Sequence, residues 1–224
     1  MKYRDLGVIV VAGGTSTRYG KNKLLEMLGD APVLIHSLRN YAPVAGQLIL
    51  VAAKAYQSVY ENLVSRYLPD VAVTWAEGGA CRAESVRNGI AAAGQEIDYV
   101  AIADAARPLG SAAQLMRLYD YAVKNHCGVI SGRKIVDTVK KIDANGKIVA
   151  HLVREELFRA ETPQLFRLRE LRAALAGSID ASITDDAEAM RRAGFPVAAL
   201  EDENINPKVT TPGDLEKLRK LLAP

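Results

Sequence analysis

Residues 6–23 read Leu-Gly-Val-Ile-Val-Val-Ala-Gly-Gly-Thr-Ser-Thr-Arg-Tyr-Gly-Lys-Asn-Lys, an apolar run that opens into a glycine-rich loop with cationic side chains. The run Leu6–Ala12 predicts a buried strand. The glycines after it let the backbone approach an anion closely, so that backbone N–H groups can donate to it. Arg18 and Lys23 add full positive charge. The stretch therefore predicts a strand and loop that bind phosphate groups, and the alternative is an ordinary strand-to-helix turn with surface lysines.

Two familiar phosphate-binding loops do not match this stretch. A P-loop would need a glycine where Thr15 stands, and a serine or threonine where Asn22 stands. The dinucleotide-binding pattern GxGxxG would need a second glycine at Ser16. The loop therefore belongs to another class of phosphate-handling protein.

Apolar runs and amphipathic segments alternate along the rest of the chain. The runs typical of strands are Leu6–Ala12, Gln47–Ala53, Val71–Trp75, Tyr99–Ala103, Cys127–Ser131 and Val197–Leu200. The segments typical of helices are Val33–Tyr41, Tyr56–Arg66, Ala83–Ala93, Ala112–Asn125, Arg169–Ala176, Asp185–Ala193 and Pro212–Leu222. This order predicts an α/β fold with a mostly parallel, twisted sheet, and the apolar strands indicate that helices cover both of its faces.

Residues 133–156 interrupt this alternation. Two β-rich arms, Ile135–Ile142 and Lys147–Val153, flank the turn Asp143–Gly146, whose Asn-Gly pair favours a hairpin. A long hairpin with polar faces is not stable alone. We therefore expect it to protrude and pack against a second subunit, and the alternative is a hairpin folded over its own domain.

Composition narrows the class of protein further. The chain has 224 residues, of which 49% are hydrophobic and 25% charged, which fits one globular domain or one domain plus a small appendage, and we expect a single domain over residues 1–224. A net charge of +3 lacks the dense basic patch of a nucleic-acid binder. Cys81 and Cys127 form no disulfide framework. No apolar run approaches the roughly 20 residues that span a membrane, and no signal-peptide core is present. We therefore expect a cytoplasmic protein without nucleic-acid or membrane partners.

Two further segments could carry chemistry. Asp104 follows an apolar strand and could hold Mg²⁺ against phosphates, with Arg107 orienting it or contacting a phosphate itself. Because ligands of parallel sheets lie at the carboxyl ends of strands, Asp104 and the loop at Gly14 can face one cleft. The turn Gly79–Ser85 could read the polar edge of a base. The alternatives are a local Asp–Arg turn pair and an ordinary helix start.

Taken in order, seven segments resemble the 2-C-methyl-D-erythritol 4-phosphate cytidylyltransferase family. They are the loop at 12–24, Gly78–Val86 (Gly-Gly-x-x-Arg-x-x-Ser-Val), Asp104–Pro108 (Asp-Ala-Ala-Arg-Pro), Asp137–Lys140 (Asp-Thr-x-Lys), Thr162–Phe166 (Thr-Pro-Gln-x-Phe), Thr184–Ala187 (Thr-Asp-Asp-Ala) and Asn206–Thr210 (Asn-x-Lys-x-Thr). The resemblance covers nearly the whole chain and implies a Rossmann-like fold. It also implies transfer of the cytidylyl group of CTP to 2-C-methyl-D-erythritol 4-phosphate, with release of pyrophosphate, in the non-mevalonate route to isoprenoids.

The resemblance also assigns residues. Arg18 and Lys23 are implied to stabilise the transition state, and Asp104 to bind Mg²⁺ or another divalent cation. The residues implied to bind CTP are Ala12, Gly13, Gly14, Thr15, Gly79, Ala80, Ala83, Ser85, Asp104 and Ala105. Those implied to bind the acceptor are Arg107, Thr138, Arg154, Thr162 and Lys208. Thr138 and Arg154 would reach from a partner's hairpin, which makes the protein a homodimer with shared active sites.

Some alternatives stay open at this point. Lys21 competes with Lys23 as the catalytic lysine, because the loop is two residues shorter than the family's pattern. Ile205 or Asn204 stands where an aspartate often serves as second metal ligand, so Asp104 acts alone or with a neighbour such as Glu203. The acceptor could be another polyol phosphate, such as ribitol 5-phosphate. The chain could also be a nucleotide-binding homologue with weakened catalysis.

Overall fold

A computed structural model describes residues 3–14, 19–177 and 183–222. Its strands are β1 (Tyr3–Ala12), β2 (Met27–Leu28), β3 (Ala31–Pro32), β4 (Ala45–Ala52), β5 (Val73–Glu77), β6 (Tyr99–Asp104), β7 (Gly128–Lys134), β8 (Val139–Ile142), β9 (Ile148–Leu152), β10 (Phe158–Arg167) and β11 (Val197–Glu201). Its α-helices are α1 (Val33–Tyr41), α2 (Gln57–Tyr67), α3 (Arg82–Ala91), α4 (Ala112–Asn125), α5 (Leu168–Ala174), α6 (Asp186–Arg192) and α7 (Pro212–Leu221). Short 3₁₀ turns lie at Lys23–Leu25, Lys54–Tyr56 and Arg154–Glu156.

The centre of the molecule is a seven-stranded sheet in the order β11-β7-β10-β6-β1-β4-β5. β1 pairs in parallel with β4 and β6, β4 with β5, and β7 with β11. Within this sheet, as far as the described residues show it, β10 alone runs antiparallel to its neighbours, β6 and β7. The predicted mostly parallel α/β fold is therefore confirmed.

Helices cover both faces of this sheet, which explains the apolar central strands. Side chains alternate along β1, so Val8 and Val10 enter one core while Ile9 enters the other. The first core is completed by α1, α2, α4 and α7, and the second by α3, α5 and α6. None of the helices in the described part of the chain is long and apolar enough to cross a membrane.

Strand β10 was absent from the sequence-based prediction. Pro163 argues against a strand in this segment, because proline has no N–H to donate to a neighbouring strand. In the structure the register between β10 and β7 shifts between Ala160 and Gln164, so the proline falls where the regular pairing is interrupted. Strand β5 lies at one edge of the sheet, where it pairs with β4 and is only partly buried.

The predicted hairpin is present as a separate two-stranded sheet of β8 and β9. Its paired strands are shorter than the predicted arms. The Asp143 carboxylate closes the turn by accepting from the backbone N–H groups of Asn145 and Lys147, both at 2.9 Å, and Gly146 takes φ +80°. Large apolar side chains remain exposed on or beside it, namely Val136, Ile142, Ile148, Val149 and Val153.

A glycine on α3 fixes the distance between this helix and the sheet. A Cβ at Gly89 would lie 2.6 Å from Ile9 Cγ2 and 2.9 Å from Val51 Cγ2, so the helix packs directly on β1 and β4. Gly213 on α7 offers a contrast, because a Cβ there would meet only Thr211 Oγ1, at 3.8 Å. The same substitution therefore has different consequences at the two sites.

We expect Gly89→Ala to lower the free energy of unfolding by about 1–3 kcal/mol, since the added methyl overpacks the core. Gly213→Ala is the matched control, and we expect it to leave stability unchanged or raise it by up to about 1 kcal/mol through better helix propensity. Urea denaturation of both variants measures the difference. A stabilised Gly89→Ala protein would contradict the close packing of α3.

Candidate active site

One cleft of about 350 Å³ opens at the carboxyl edge of the sheet, where β1 and β6 end. It is bounded by two glycine turns and by the segment before α7. The lining residues are Val11, Ala12, Gly13, Gly14, Lys23, Leu24, Gly79, Ala80, Cys81, Arg82, Ser85, Asp104, Ala106, Lys208 and Thr210. The structure therefore brings together the glycine loop, the turn at 79–85 and Asp104, as the sequence predicts.

The loop after β1 distinguishes the two candidate lysines. Lys21 forms an ion pair with Glu26 at 2.7 Å, and its side chain is 67% exposed, whereas Lys23 lines the cleft. Asn22 fixes the turn between them, because its side chain accepts from the Leu24 N–H at 3.1 Å and donates to the Tyr60 hydroxyl at 2.8 Å. The predicted site residues Thr15 and Arg18 lie outside the described residues.

The second glycine turn is held together by its own side chains. The buried Ser85 hydroxyl accepts from the Gly79 N–H at 3.0 Å and donates to the Cys81 carbonyl at 3.0 Å. The Glu84 carboxylate accepts from the Ala80 N–H at 2.7 Å. These bonds fix the turn at the cleft before any ligand binds.

Asp104, at the end of β6, is surrounded by three cationic side chains of the cleft and its base. Its side chain is only 11% exposed. Lys208 Nζ lies 2.8 Å from Asp104 Oδ2, Arg107 Nε lies 3.6 Å from the same oxygen, and Arg82 Nε lies 3.7 Å from Oδ1. The backbone is fixed as well, because the Asp104 N–H donates to Thr162 Oγ1 at 3.0 Å.

These neighbours determine the protonation state of Asp104. Burial alone would raise the pKa of a carboxyl, but Lys208, Arg82 and Arg107 outweigh it and lower the pKa of Asp104 below its ordinary value of 3.8. The carboxylate is therefore ionised at neutral pH. An uncompensated charge at this depth would be strongly destabilising, so the carboxylate and its cations require one another.

The segment before α7 carries Lys208 into the cleft. Asn206 is buried, and its side-chain amide donates to the Thr162 backbone carbonyl at 2.8 Å. The backbone carbonyl of Asn206 accepts from the Arg107 guanidinium. The Val209 N–H donates to the Ala106 carbonyl at 2.8 Å. After Lys208 the chain enters α7 through an N-terminal cap, since Asp214 accepts from the backbone N–H groups of Thr210 and Thr211.

Some predicted residues lie behind the cleft or away from it. Ala83 and Ala105 are buried behind the lining, and Arg107 lies beneath it between Asp104 and Glu161. Thr138 is exposed at the base of the hairpin. Arg154 follows the hairpin and donates to the Val136 carbonyl at 2.8 Å.

Several charged or polar residues of the site had no role assigned from the sequence. Arg82 lines the cleft and forms an ion pair with the buried Asp186 at 2.8 Å. Glu161 is also buried, within reach of Arg107 and Arg159. Arg82 and Asp186 lie within two of the quoted motifs, but about 100 positions of sequence separate them, and nothing in either motif indicates that they meet.

The acidic groups of the cleft are few. Asp104 is the one carboxylate among the described lining residues, and no cluster of three metal-ligating side chains occurs in the described ranges. Glu203, considered above as a second ligand, is exposed, and its carbonyl accepts from Arg133 on β7 at 3.1 Å. A metal held here would therefore take most of its ligands from the bound substrate and water.

A Rossmann-like sheet with two glycine turns and a cation-paired aspartate at its carboxyl edge is typical of a nucleotidyltransferase. The sequence matches the family model described as 2-C-methyl-D-erythritol 4-phosphate cytidylyltransferase over residues 6–223. The chain belongs to this family.

Individual relatives match nearly the whole chain. The chain is 36% identical to 2-C-methyl-D-erythritol 4-phosphate cytidylyltransferase of Prochlorococcus marinus, covering 96% of this chain and 97% of that one. It is 38% identical to the protein of the same name from Aeromonas hydrophila, covering 94% and 86%. The crystal structure of the Francisella tularensis 2-C-methyl-D-erythritol 4-phosphate cytidylyltransferase superposes with a TM-score of 0.81 at 26% identity, covering 97% and 100%.

Proposed function

We propose that this chain transfers the cytidylyl group of CTP to 2-C-methyl-D-erythritol 4-phosphate, giving CDP-methylerythritol and pyrophosphate for isoprenoid precursor synthesis by the non-mevalonate route. The family match over residues 6–223 supports this reaction. The observation that carries the proposal at atomic level is the convergence of Lys23, Lys208 and Asp104 in one cleft between two glycine turns.

The reaction needs positioning and charge stabilisation more than covalent chemistry. An oxygen of the acceptor phosphate attacks the α-phosphorus of CTP, a new P–O bond forms, and the bond from the α-phosphorus to the oxygen bridging to the β-phosphate breaks. Pyrophosphate leaves with that electron pair. Lys23, together with Arg18, stabilises the negative charge that accumulates around the α-phosphate.

CTP binding is divided between the two glycine turns. The triphosphate binds along Ala12, Gly13, Gly14 and Thr15, because the glycines let backbone N–H groups approach the phosphates closely. The residues Gly79, Ala80 and Ser85 take the cytosine side. Ala83 and Ala105 support these contacts from behind the lining, where they are buried.

A divalent cation, preferably Mg²⁺, would bind at the Asp104 carboxylate. Oδ2 of Asp104 is paired with Lys208, but Arg82 Nε lies 3.7 Å from Oδ1, beyond hydrogen-bond distance, so Oδ1 retains capacity as a ligand. One carboxylate is enough, because Mg²⁺ commonly keeps several waters and binds substrate phosphates. When bound, the ion neutralises charge on the triphosphate.

The acceptor phosphate binds on the side of Lys208, close to Thr162 and Arg107. Thr138 and Arg154 belong to the hairpin region, and neither is among the described lining residues of its own cleft. We propose that they serve the site of a second copy, which makes the protein a homodimer with 1–224 as one domain. The exposed apolar side chains of the hairpin support this proposal, because such side chains often mark a surface that another protein chain covers. We place the protein in the cytoplasm, in keeping with the free Cys81 and Cys127.

We expect the purified protein to release pyrophosphate from CTP and Mg²⁺ when 2-C-methyl-D-erythritol 4-phosphate is added. A competition at equal concentration with ribitol 5-phosphate identifies the acceptor, and the methylerythritol phosphate should be consumed first. Preferential use of ribitol 5-phosphate would overturn the substrate but keep the chemistry. No pyrophosphate from either acceptor at high protein concentration would overturn the enzymatic function.

We expect Lys23→Ala to reduce kcat by about 100-fold or more, because a cation is removed from the developing charge. Lys21→Ala is the matched control, since this lysine is two residues away and pairs with Glu26. It should change kcat by less than about threefold, as expected for an exposed ion pair. Steady-state kinetics of both variants tests the assignment, and the reverse order of effects would transfer the catalytic role to Lys21.

The shared site predicts complementation between two defective chains. Arg154→Ala and Lys23→Ala should each be nearly inactive alone. Co-expressed in equal amounts, they should recover about a quarter of the wild-type rate, because half of the dimers are mixed and each contains one intact site. Activity equal to the sum of the two residual rates, or a monomer by analytical ultracentrifugation, would contradict the shared site.

A further inference from the structure

Arg82 occupies an unusual position between the two halves of the cleft. It is the first residue of α3 and follows the turn Gly79–Cys81 directly. Its guanidinium extends from this turn to Asp104, where Nε lies 3.7 Å from Oδ1. Arg82 therefore connects the turn proposed to take the base with the carboxylate proposed to face the phosphates.

The other end of the guanidinium is held by α6. Arg82 Nη1 lies 2.8 Å from Asp186 Oδ2, and Asp186 is only 1% exposed. Asp186 is itself fixed, because it is the first residue of α6, whose preceding residue Asp185 caps the helix through the Glu188 N–H at 3.0 Å. The Gln164 side chain on β10 contacts the residues on either side of Asp186. It donates to the Asp185 carboxylate and accepts from the Ala187 N–H, each at 3.1 Å.

A buried carboxylate without a counter-charge is costly, so Asp186 and Arg82 are strongly coupled. Burial raises the pKa of the Asp186 carboxyl, and the Arg82 guanidinium opposes that rise. The planar guanidinium can face two carboxylates at once, which the single ammonium of a lysine cannot do with the same geometry. The arrangement thus orients Arg82 towards Asp104 through a residue that lies outside the cleft.

We infer that Asp186 is a positioning residue for nucleotidyl transfer: it keeps Arg82 within ion-pair distance of Asp104 and so fixes the base-side turn relative to the phosphate-side carboxylate. This inference rests on the proposed function of the cleft. Asp186 is not one of the described lining residues, whereas Arg82 is, so Asp186 acts through Arg82. Loss of Asp186 would let Arg82 turn away and would loosen the CTP side of the site more than the acceptor side.

The test is Asp186→Asn, which keeps the size of the side chain and removes its charge. We expect kcat/KM for CTP to fall by roughly 10- to 100-fold, as for other small misplacements of binding groups. KM for CTP should rise while KM for the acceptor stays within about twofold of the wild-type value. A merely structural role would lower Tm and the active fraction and leave both KM values unchanged, and that result would overturn the inference.

Glu188→Gln is the matched control on the same helix. Glu188 forms ion pairs with Arg191 and Arg192 at the surface, at 2.8 and 2.7 Å. Its substitution should leave the KM values for CTP and for the acceptor unchanged. Equal effects of the two variants on KM for CTP would also overturn the inference.

Arg82→Lys keeps the positive charge and covers the case in which Asp186→Asn fails to fold. It should raise KM for CTP selectively, and the double variant should be little worse than either single one, because both residues act as a unit. Additive losses would show that Arg82 and Asp186 act independently, and would overturn the inference.

Titration calorimetry with CTP distinguishes this inference from the proposed reaction. If the wild-type protein binds CTP but releases no pyrophosphate, the proposed function fails while the comparison with Asp186→Asn still decides the inference. We expect the variant to bind CTP about tenfold more weakly. Unchanged CTP affinity in a folded variant would contradict the positioning role.

Discussion

The site depends on the pairing of one buried carboxylate with the cations around it. Asp104 ends a strand buried along its whole length, where an ionised group is stable only if opposite charge and hydrogen bonds compensate for lost hydration. Lys208, Arg107 and Arg82 supply that charge from three separate segments of the chain. Because each cation must reach Asp104, the turn Gly79–Cys81, the loop after β6 and the segment before α7 meet at this carboxylate.

A second layer of residues keeps these cations in place without lining the cleft. Asp186 orients Arg82, Glu161 lies beside Arg107, and Asn206 ties the Lys208 segment to β10. Thr162 on β10 accepts from the backbone of Asp104 itself. Strand β10 therefore matters to the site as much as to the sheet, since it fixes Asp104 and its neighbours from the antiparallel side. A preorganised arrangement of this kind suits a reaction that depends on electrostatic stabilisation.

The helix bounds and the start of α7 could be predicted from the sequence, because they depend on residues close together along the chain. Helices α1 and α4 match their predicted bounds, and Thr211 and Pro212 indicate the start of α7 through ordinary capping chemistry. Strand β10 could not be predicted, because its pairing depends on partners distant in sequence and Pro163 argues against a strand. The pair Arg82–Asp186 was missed for the same reason: the two residues begin different helices, and only the tertiary fold brings them to 2.8 Å.

A crystal structure of the protein with CTP and Mg²⁺ tests the proposed site at atomic level. We expect the triphosphate along Gly13 and Gly14 with Lys23 at the α-phosphate, the cytosine against the turn at 79–85, and the metal at Asp104. We also expect Arg82 to keep its contact with Asp186. Density for CTP outside this cleft, or a triphosphate bound with Lys23 and Asp104 both out of reach, would contradict the role of the cleft.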